Sequence, residues 1–359
     1  MKPGRRSTAA LCAVVLAALV AGASAAVAGQ NRGPLVVTDS LGRRVEVPER
    51  VLRIISLEPE ITRIIVALGG GERLVGVDFF LRHYDPLFGR LLPESGGLPV
   101  FSNQAQDLNY ERALALRPDF VFTSPSELQS TEGVESKLRT PVAALASIGR
   151  FDNLLREMAT IGQIIGREER AEELSGYFKA RLAAVARALG TAPAGEKPRV
   201  YLSFWGTLLR TPVTYDPVDA AGGTNCARGL LPSYLGTAGA TVPVEQIVRW
   251  NPDIILIQGN YPPRQRAVTV QNVLADSRLA AVRAVRTGRV HYTFGFWYWW
   301  DPALVLVETL YLANLFHPSL FPAFDLEKEG NEIYKVFYGV DGAFSALSRV
   351  LNCHEWLHK

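Results

Sequence analysis

Strand and helix signals alternate along most of the chain. "RIISL" (Arg53 to Leu57) is a short β-rich run, and "EITRIIVALG" after it spaces its apolar residues as a helix does and closes on glycine. "RLVGV" (Arg73 to Val77) predicts the next strand. "LNYERALALRPDFVFTS" predicts a helix, a Pro-Asp turn and a buried strand from Phe120 to Thr123. Such alternation predicts α/β layers around mostly parallel sheets.

Residues 152–189 break the pattern. Asp152 is placed to cap a helix with Leu154, Leu155, Met158, Ile161 and Ile165 on one face, and Gly166 interrupts it. "EERAEELSGYFKARLAAVARAL" then runs long and amphipathic, with Glu172 and Glu173 ahead of Lys179 and Arg181. "GTAPAGEKP" reads as a linker, and "RVYLSFW" restarts the strand-helix alternation up to "RVHYTF". The halves on either side echo each other. "YERALALRPDFVF" aligns with "VEQIVRWNPDIIL", and Glu111 and Glu245 each stand seven residues before the proline of a Pro-Asp pair. An echo of two copies suggests two similar lobes, since a solenoid needs at least three.

The first residues predict a leader. Lys2, Arg5 and Arg6 form a basic start, Leu11 to Ala21 an apolar run, and "ASA" and "AVA" offer cleavage at Ala25 or Ala28. The run is shorter than the ~20 apolar residues of a membrane span. Arg5-Arg6 followed by Ser7, Thr8 and Ala9 leaves general secretory and twin-arginine export both open. Loss of the leader's three cations takes the formal net charge from +3 to zero, which argues against a nucleic-acid partner. Cys226 and Cys353 would remain, with pairing in an oxidising compartment left open. The expected location is the periplasm.

The stretches "RIISLEPEITRIIVALGGGERLVGV", "LNYERALALRPDFVF", the long middle helix, "AAGGTN" and "VEQIVRWNPDIILI" together resemble the substrate-binding proteins of ATP-binding-cassette importers for ferric siderophores, haem and vitamin B12. The resemblance spans roughly residues 50–316. It implies an α/β fold of two Rossmann-like lobes joined by a single long helix, with ligand in the cleft between them. The corresponding division is a signal peptide over 1–28, a first lobe over 34–165, a connecting helix over 166–190, a second lobe over 198–320 and an extension over 321–359 that packs on the second lobe. It also implies a monomer that docks on a transmembrane permease through one acid per lobe, Glu111 and Glu245 here. Exposed carboxylates of this kind contribute register and orientation more than affinity. One departure stands out: after "EPEIT" this chain has Arg63, where the family often has an acid.

Candidate ligand contacts come from loops that follow strands, because such loops line the crevice of a parallel sheet. "FGFWYWWDP" puts six aromatic rings into seven positions, ahead of Asp301 as a helix cap and Pro302 as its first residue. Two readings stay open for these rings, a wall for a flat ligand or packing within the lobe. Trp297, Tyr298 and Trp299 are the candidates to face ligand, while Trp300 beside the cap is expected to be packed. Arg82, His83 and Tyr84 in "DFFLRHYDP", Asn103 in "SNQAQ", Trp205 in "SFWGTLLR", and Tyr215 and Asn225 near "AAGGTN" complete the set.

These features predict a receptor without catalysis or a resident cofactor, whose ligand is a metal chelate: a ferric siderophore, haem or a corrinoid. Molybdate or tungstate is the alternative within the same fold, held by backbone N–H and hydroxyl groups. An exported metal-dependent hydrolase is the alternative from another class. Its one motif is "HEWLH" (His354 to His358), which fits H-E-x-x-H but ends the chain at Lys359 with no room for a third ligand. No protein-held metal site is expected.

Overall fold

The computed structural model of the chain describes residues 35–102, 108–125, 128–145, 149–190, 197–232, 239–259, 268–295 and 300–351. An antiparallel hairpin comes first, β1 (Leu35–Thr38) against β2 (Arg44–Val47). The first lobe continues with β3 (Ile54–Ser56), α1 (Pro59–Ala67), β4 (Leu74–Asp78), α2 (Phe79–Tyr84), α3 (Phe88–Leu91), β5 (Val100–Phe101), α4 (Tyr110–Ala115), β6 (Phe120–Thr123), α5 (Leu128–Leu138) and β7 (Val142–Ala144). Two long helices follow, α6 (Phe151–Ile165) and α7 (Glu168–Leu189). The second lobe holds β8 (Arg199–Ser203), β9 (Arg210–Pro212), α8 (Asp216–Ala220), β10 (Thr224–Asn225), β11 (Gly239–Thr241), α9 (Val244–Trp250), β12 (Ile254–Gln258), α10 (Val270–Ala275), α11 (Arg283–Arg286), β13 (Val290–Thr293) and α12 (Pro302–Phe316). Beyond it lie α13 (Leu326–Tyr338) and α14 (Ala343–Val350).

Two parallel sheets carry the lobes, in strand order β5-β4-β3-β6-β7 and β10-β8-β12-β13. Their side chains alternate between faces, as a period of two requires. In the first sheet Ile54, Phe120 and Phe122 face one core, while Ile55, Val121 and Val142 face another with Leu108 and Ala113. In the second, Val200, Leu202, Ile254 and Leu256 face the first of these cores, and Tyr201, Ile255, Ile257 and Val290 form a third. One hydrophobic core thus passes from lobe to lobe through α1, α6, α7 and α12. α12 is buried on nearly every side, which fits its almost unbroken apolar sequence. α6 ends on Gly166 in the left-handed conformation (φ 63°). Its Gly162 admits α7 closely, since a Cβ there would lie 2.8 Å from that of Ala171.

The echo between the halves is a repeated piece of structure. α4 leads through Arg117 (φ 47°) and Pro118-Asp119 into β6, and α9 leads through Asn251 (φ 46°) and Pro252-Asp253 into β12. The Asp119 carboxylate accepts from the Leu52 and Arg53 N–H groups just ahead of β3 (2.9 and 3.0 Å), and Asp253 accepts from Arg199 N–H at the start of β8 (2.8 Å). In return Asp119 N–H donates to Arg53 O and Asp253 N–H to Arg199 O. Each Pro-Asp pair therefore starts one strand and pins the start of its neighbour.

The extension reaches further than expected. α13 lies on α12 and also touches α1 of the first lobe. Arg90 donates to Asp341 O (2.9 Å), Arg170 of α7 binds Val336 O, and Arg181 of α7 pairs with Glu329. Unsatisfied carbonyls near the end of α13 are good acceptors for guanidinium groups, so first-lobe and α7 arginines draw the extension across both lobes.

Asp119→Ala and Asp253→Ala should each lower unfolding free energy by about 1–3 kcal/mol, the scale of losing hydrogen bonds to a charged group. Urea titration followed by circular dichroism measures this, and a silent change at either position would contradict the shared role.

Candidate functional site

In open α/β sheets ligands bind beyond the carboxyl ends of the strands, where the strand order switches direction. In the first sheet the chain moves from β3 outward to β4 and β5, then returns to β6 on the other side of β3. In the second it moves from β8 to β10, then to β12 on the other side of β8. Polar contacts join the two lobes along a seam. Arg63 of α1, the helix after β3, bonds to Asp301 at the start of α12, the helix after β13. On another flank Phe151 N–H donates to Asp216 (2.8 Å) and Asp216 N–H to Gly149 O (2.9 Å).

The first-lobe wall is acidic. Glu58 follows β3, is half-buried, and receives a hydrogen bond from Ser124 beyond β6. Burial, with Glu60, Asp78 and Glu157 nearby, holds its carboxyl well above the usual range. Asp78 ends β4 and caps α2 by accepting from Leu81 N–H (2.8 Å), and burial pushes it up to about 7. Next to this wall the exposed face of α2 is wholly aromatic. Phe79, Phe80 and Tyr84 are 37–46% exposed, and the His83 ring stacks on Phe79 at 3.9 Å with its Nδ1 3.0 Å from Phe79 O.

On the second lobe Trp205 leaves β8 in a left-handed conformation (φ 55°), and its N–H donates to Gln258 Oε1 at the end of β12 (2.8 Å). Its ring lies over Gly239, where a Cβ would come within 2.8 Å, and under the Arg210 guanidinium at 4.9 Å. The half-buried indole is thus a fixed plate. Behind it a row of rings runs through Phe204, Tyr215, Trp300, Phe151 and Phe178, with centroids 5.2–6.3 Å apart. Glu308 of α12 ties this row to the end of β13. It accepts from Thr293 Oγ1, Phe294 N–H (3.0 Å) and Tyr215 Oη (3.3 Å), and burial raises its carboxyl to about 7.

The sequence candidates separate accordingly. Tyr84, His83 and Trp205 present rings at strand ends, while half-buried Arg82 donates to Gly96 O (3.3 Å). Tyr215 is fully buried in the ring row. Asn225 uses its amide within the fold, donating to Pro212 O and accepting from Ala227 N–H, each at 2.9 Å. Both residues are buried, so neither presents its polar group at the surface. Of the aromatic run, Phe294 and Trp300 are core. Asn103, Trp297, Tyr298 and Trp299 lie outside the described residues, as do the leader, Cys353 and "HEWLH". Asp301 caps α12 by accepting from Leu304 N–H (2.7 Å), with Pro302 first in the helix as expected. Glu111 and Glu245 are exposed in the first turns of the equivalent helices α4 and α9. Sequence reasoning missed Glu58, Phe79, Phe80, Gln258 and Glu308. Their signal was position, directly after a strand or alone within an apolar helix.

Among the described residues no three His, Cys, Asp or Glu side chains are grouped to hold a metal ion. No helix among them is long and apolar enough to cross a membrane. A groove of about 710 Å³ between α6 and α7 is lined by none of the residues at the switch points.

The family model described as "periplasmic binding protein" matches residues 54–294. The molybdate-binding protein MolA of Haemophilus influenzae is 26% identical over 329 residues, covering 84% of this chain and 90% of that one. A cobalamin-binding protein of Halobacterium salinarum is 25% identical over 297 residues, covering 79% and 74%. Among solved structures, molybdate-bound MolA superposes with a TM-score of 0.70 at 24% identity, over 86% of this chain and 98% of that one. The periplasmic haem-binding protein HutB of Vibrio cholerae gives 0.56 at 22% identity, over 76% and 99%.

Glu308→Gln tests the buried carboxyl beneath the ring row. A folded-state pKa of about 7, above the ordinary 4.5, means the folded protein holds a proton that the unfolded chain releases between these values. Glu308 therefore makes stability fall as pH rises from about 4.5 to 7. The glutamine variant should show a flatter profile there, its stability rising relative to the parent as pH increases from about 4.5 to 7. Denaturant melts at several pH values read both.

Proposed function

The chain belongs to the periplasmic binding protein family, and on that premise we propose that it is the periplasmic receptor of an ATP-binding-cassette importer, capturing a metal chelate between its lobes. The observation that carries the reading is that each lobe offers an aromatic surface beyond the carboxyl end of a strand, the α2 face after β4 with Phe79, Phe80 and Tyr84 and the Trp205 plate after β8. Flat, polarisable surfaces of this size suit a macrocycle or a catecholate rim, and stacking supplies affinity without chemistry. Cobalamin binding by one relative is consistent with such a ligand. Export by the leader and delivery by a monomer to a transmembrane permease complete the reading. Glu111 and Glu245, on equivalent helices of the two lobes, supply the docking pair.

A second reading, molybdate, is favoured by the MolA relative. Against it stands ligand size: a small tetrahedral oxyanion would cover little of either aromatic surface.

Fluorescence titration with a ferric catecholate siderophore, haemin, cyanocobalamin and molybdate should show quenching by at least one chelate and none by molybdate. A response to molybdate alone would replace the first reading with the second. Trp205→Ala should weaken binding of the responding chelate by about 1–3 kcal/mol, the scale of a lost aromatic anchor. Separately, Glu111→Ala with Glu245→Ala should leave affinity unchanged and impair uptake in cells. Equal loss of binding in solution would show that these carboxylates act at the cleft.

A further inference from the structure

Arg63 is buried at the junction of both lobes and the C-terminal extension. Its Nη1 donates to Asp85 Oδ2 in the first lobe (2.9 Å), and its Nε donates to Asp301 Oδ2 in the second (2.6 Å), with Nη2 also against Asp301. Tyr338 at the end of α13 donates its hydroxyl to the same Asp301 Oδ2 (2.7 Å), and its ring lies 4.9 Å from the guanidinium carbon. The other oxygen of Asp301 caps α12, and Trp300 precedes it in the ring row.

We propose that Arg63, Asp301 and Tyr338 form a latch that sets the separation of the lobes. The C-terminal extension is then a working part of ligand capture. The chemistry is specific to this arrangement. A guanidinium fork can bind two carboxylates in fixed directions, whereas an ammonium acts as a single point charge. A buried charge cannot drift to another partner without losing compensation, so the two lobes have one favoured spacing. Because Asp301 caps α12 and directly follows Trp300, any change in lobe spacing is felt in the buried ring row behind Trp205. Arg63 and Tyr338 are thus positioning residues, acting on the site through Asp301. Their effect on ligand rests on the reading of the seam as the binding site; their effect on lobe spacing does not.

The test separates these two. Spin labels at Ser136→Cys on α5 and Arg286→Cys on α11, in a chain with Cys12→Ser, Cys226→Ser and Cys353→Ser, report the interlobe distance by pulsed electron resonance. The labelled parent should give one narrow distribution. Arg63→Lys and Tyr338→Phe should broaden it while the protein stays folded by circular dichroism. Tyr338→Phe removes a single hydroxyl and serves if the lysine variant does not fold. Unchanged narrow distributions, even with lowered melting temperatures, would overturn the latch and leave the cluster a stabiliser only. With a ferric catecholate siderophore, haemin, cyanocobalamin and molybdate as probes, whichever binds the parent should dissociate at least threefold faster from Tyr338→Phe. If none binds, the ligand reading fails while the distance measurement still decides the latch.

Discussion

A guanidinium buried between two carboxylates of different lobes constrains everything around it. Removing one partner of such a group costs about 3–5 kcal/mol, because a charge is left without compensation. Apolar packing of equal volume would supply similar stability, so what the charges add is geometry: Arg63 fits Asp85 and Asp301 only when α1, the end of α2 and the start of α12 are in register. Tyr338 brings α13 into the same register. Where the family often carries an acid, the arginine is thus a structural choice with consequences for three parts of the chain.

From that junction the architecture reads outward in two equivalent directions. Each lobe starts a central strand at a Pro-Asp pair whose carboxylate pins the neighbouring strand, Asp119 for β3 and Asp253 for β8. Each switch point then bears its own polar tie, Ser124 to Glu58 in one lobe and Trp205 to Gln258 in the other. The repeated scaffold sets where the walls stand, and the unrepeated side chains set what they recognise.

Those side chains give the two walls different characters. The first combines raised carboxyls with an exposed aromatic helix face, and the second combines an indole plate with a buried ring row. Glu308 lies beneath that row as a carboxyl with three donors, holding Tyr215 and the end of β13 together. Aromatic faces on both lobes suit a large flat ligand better than a small tetrahedral anion.

Much of the fold was legible in the sequence, because strand and helix periods, Pro-Asp turns and caps are local. The echo around Glu111 and Glu245, the helix after Gly166, and the Asp301 cap with packed Trp300 all follow from residues a few positions apart. The site was less legible. Asn225 and Tyr215 carry suitable groups, but Pro212 and Glu308 bind them, and those partners are brought near by folding alone. Arg82, His83 and Tyr84 stand out in the α2 sequence, but Phe79 and Phe80 do not, since only the packing of Leu81 shows which side is out. Arg63 was visible as a departure, yet its role needed Asp301, 238 positions away. Local periodicity determines which elements form; burial and long-range partners decide which polar and aromatic groups remain available, and only the tertiary structure brings those together.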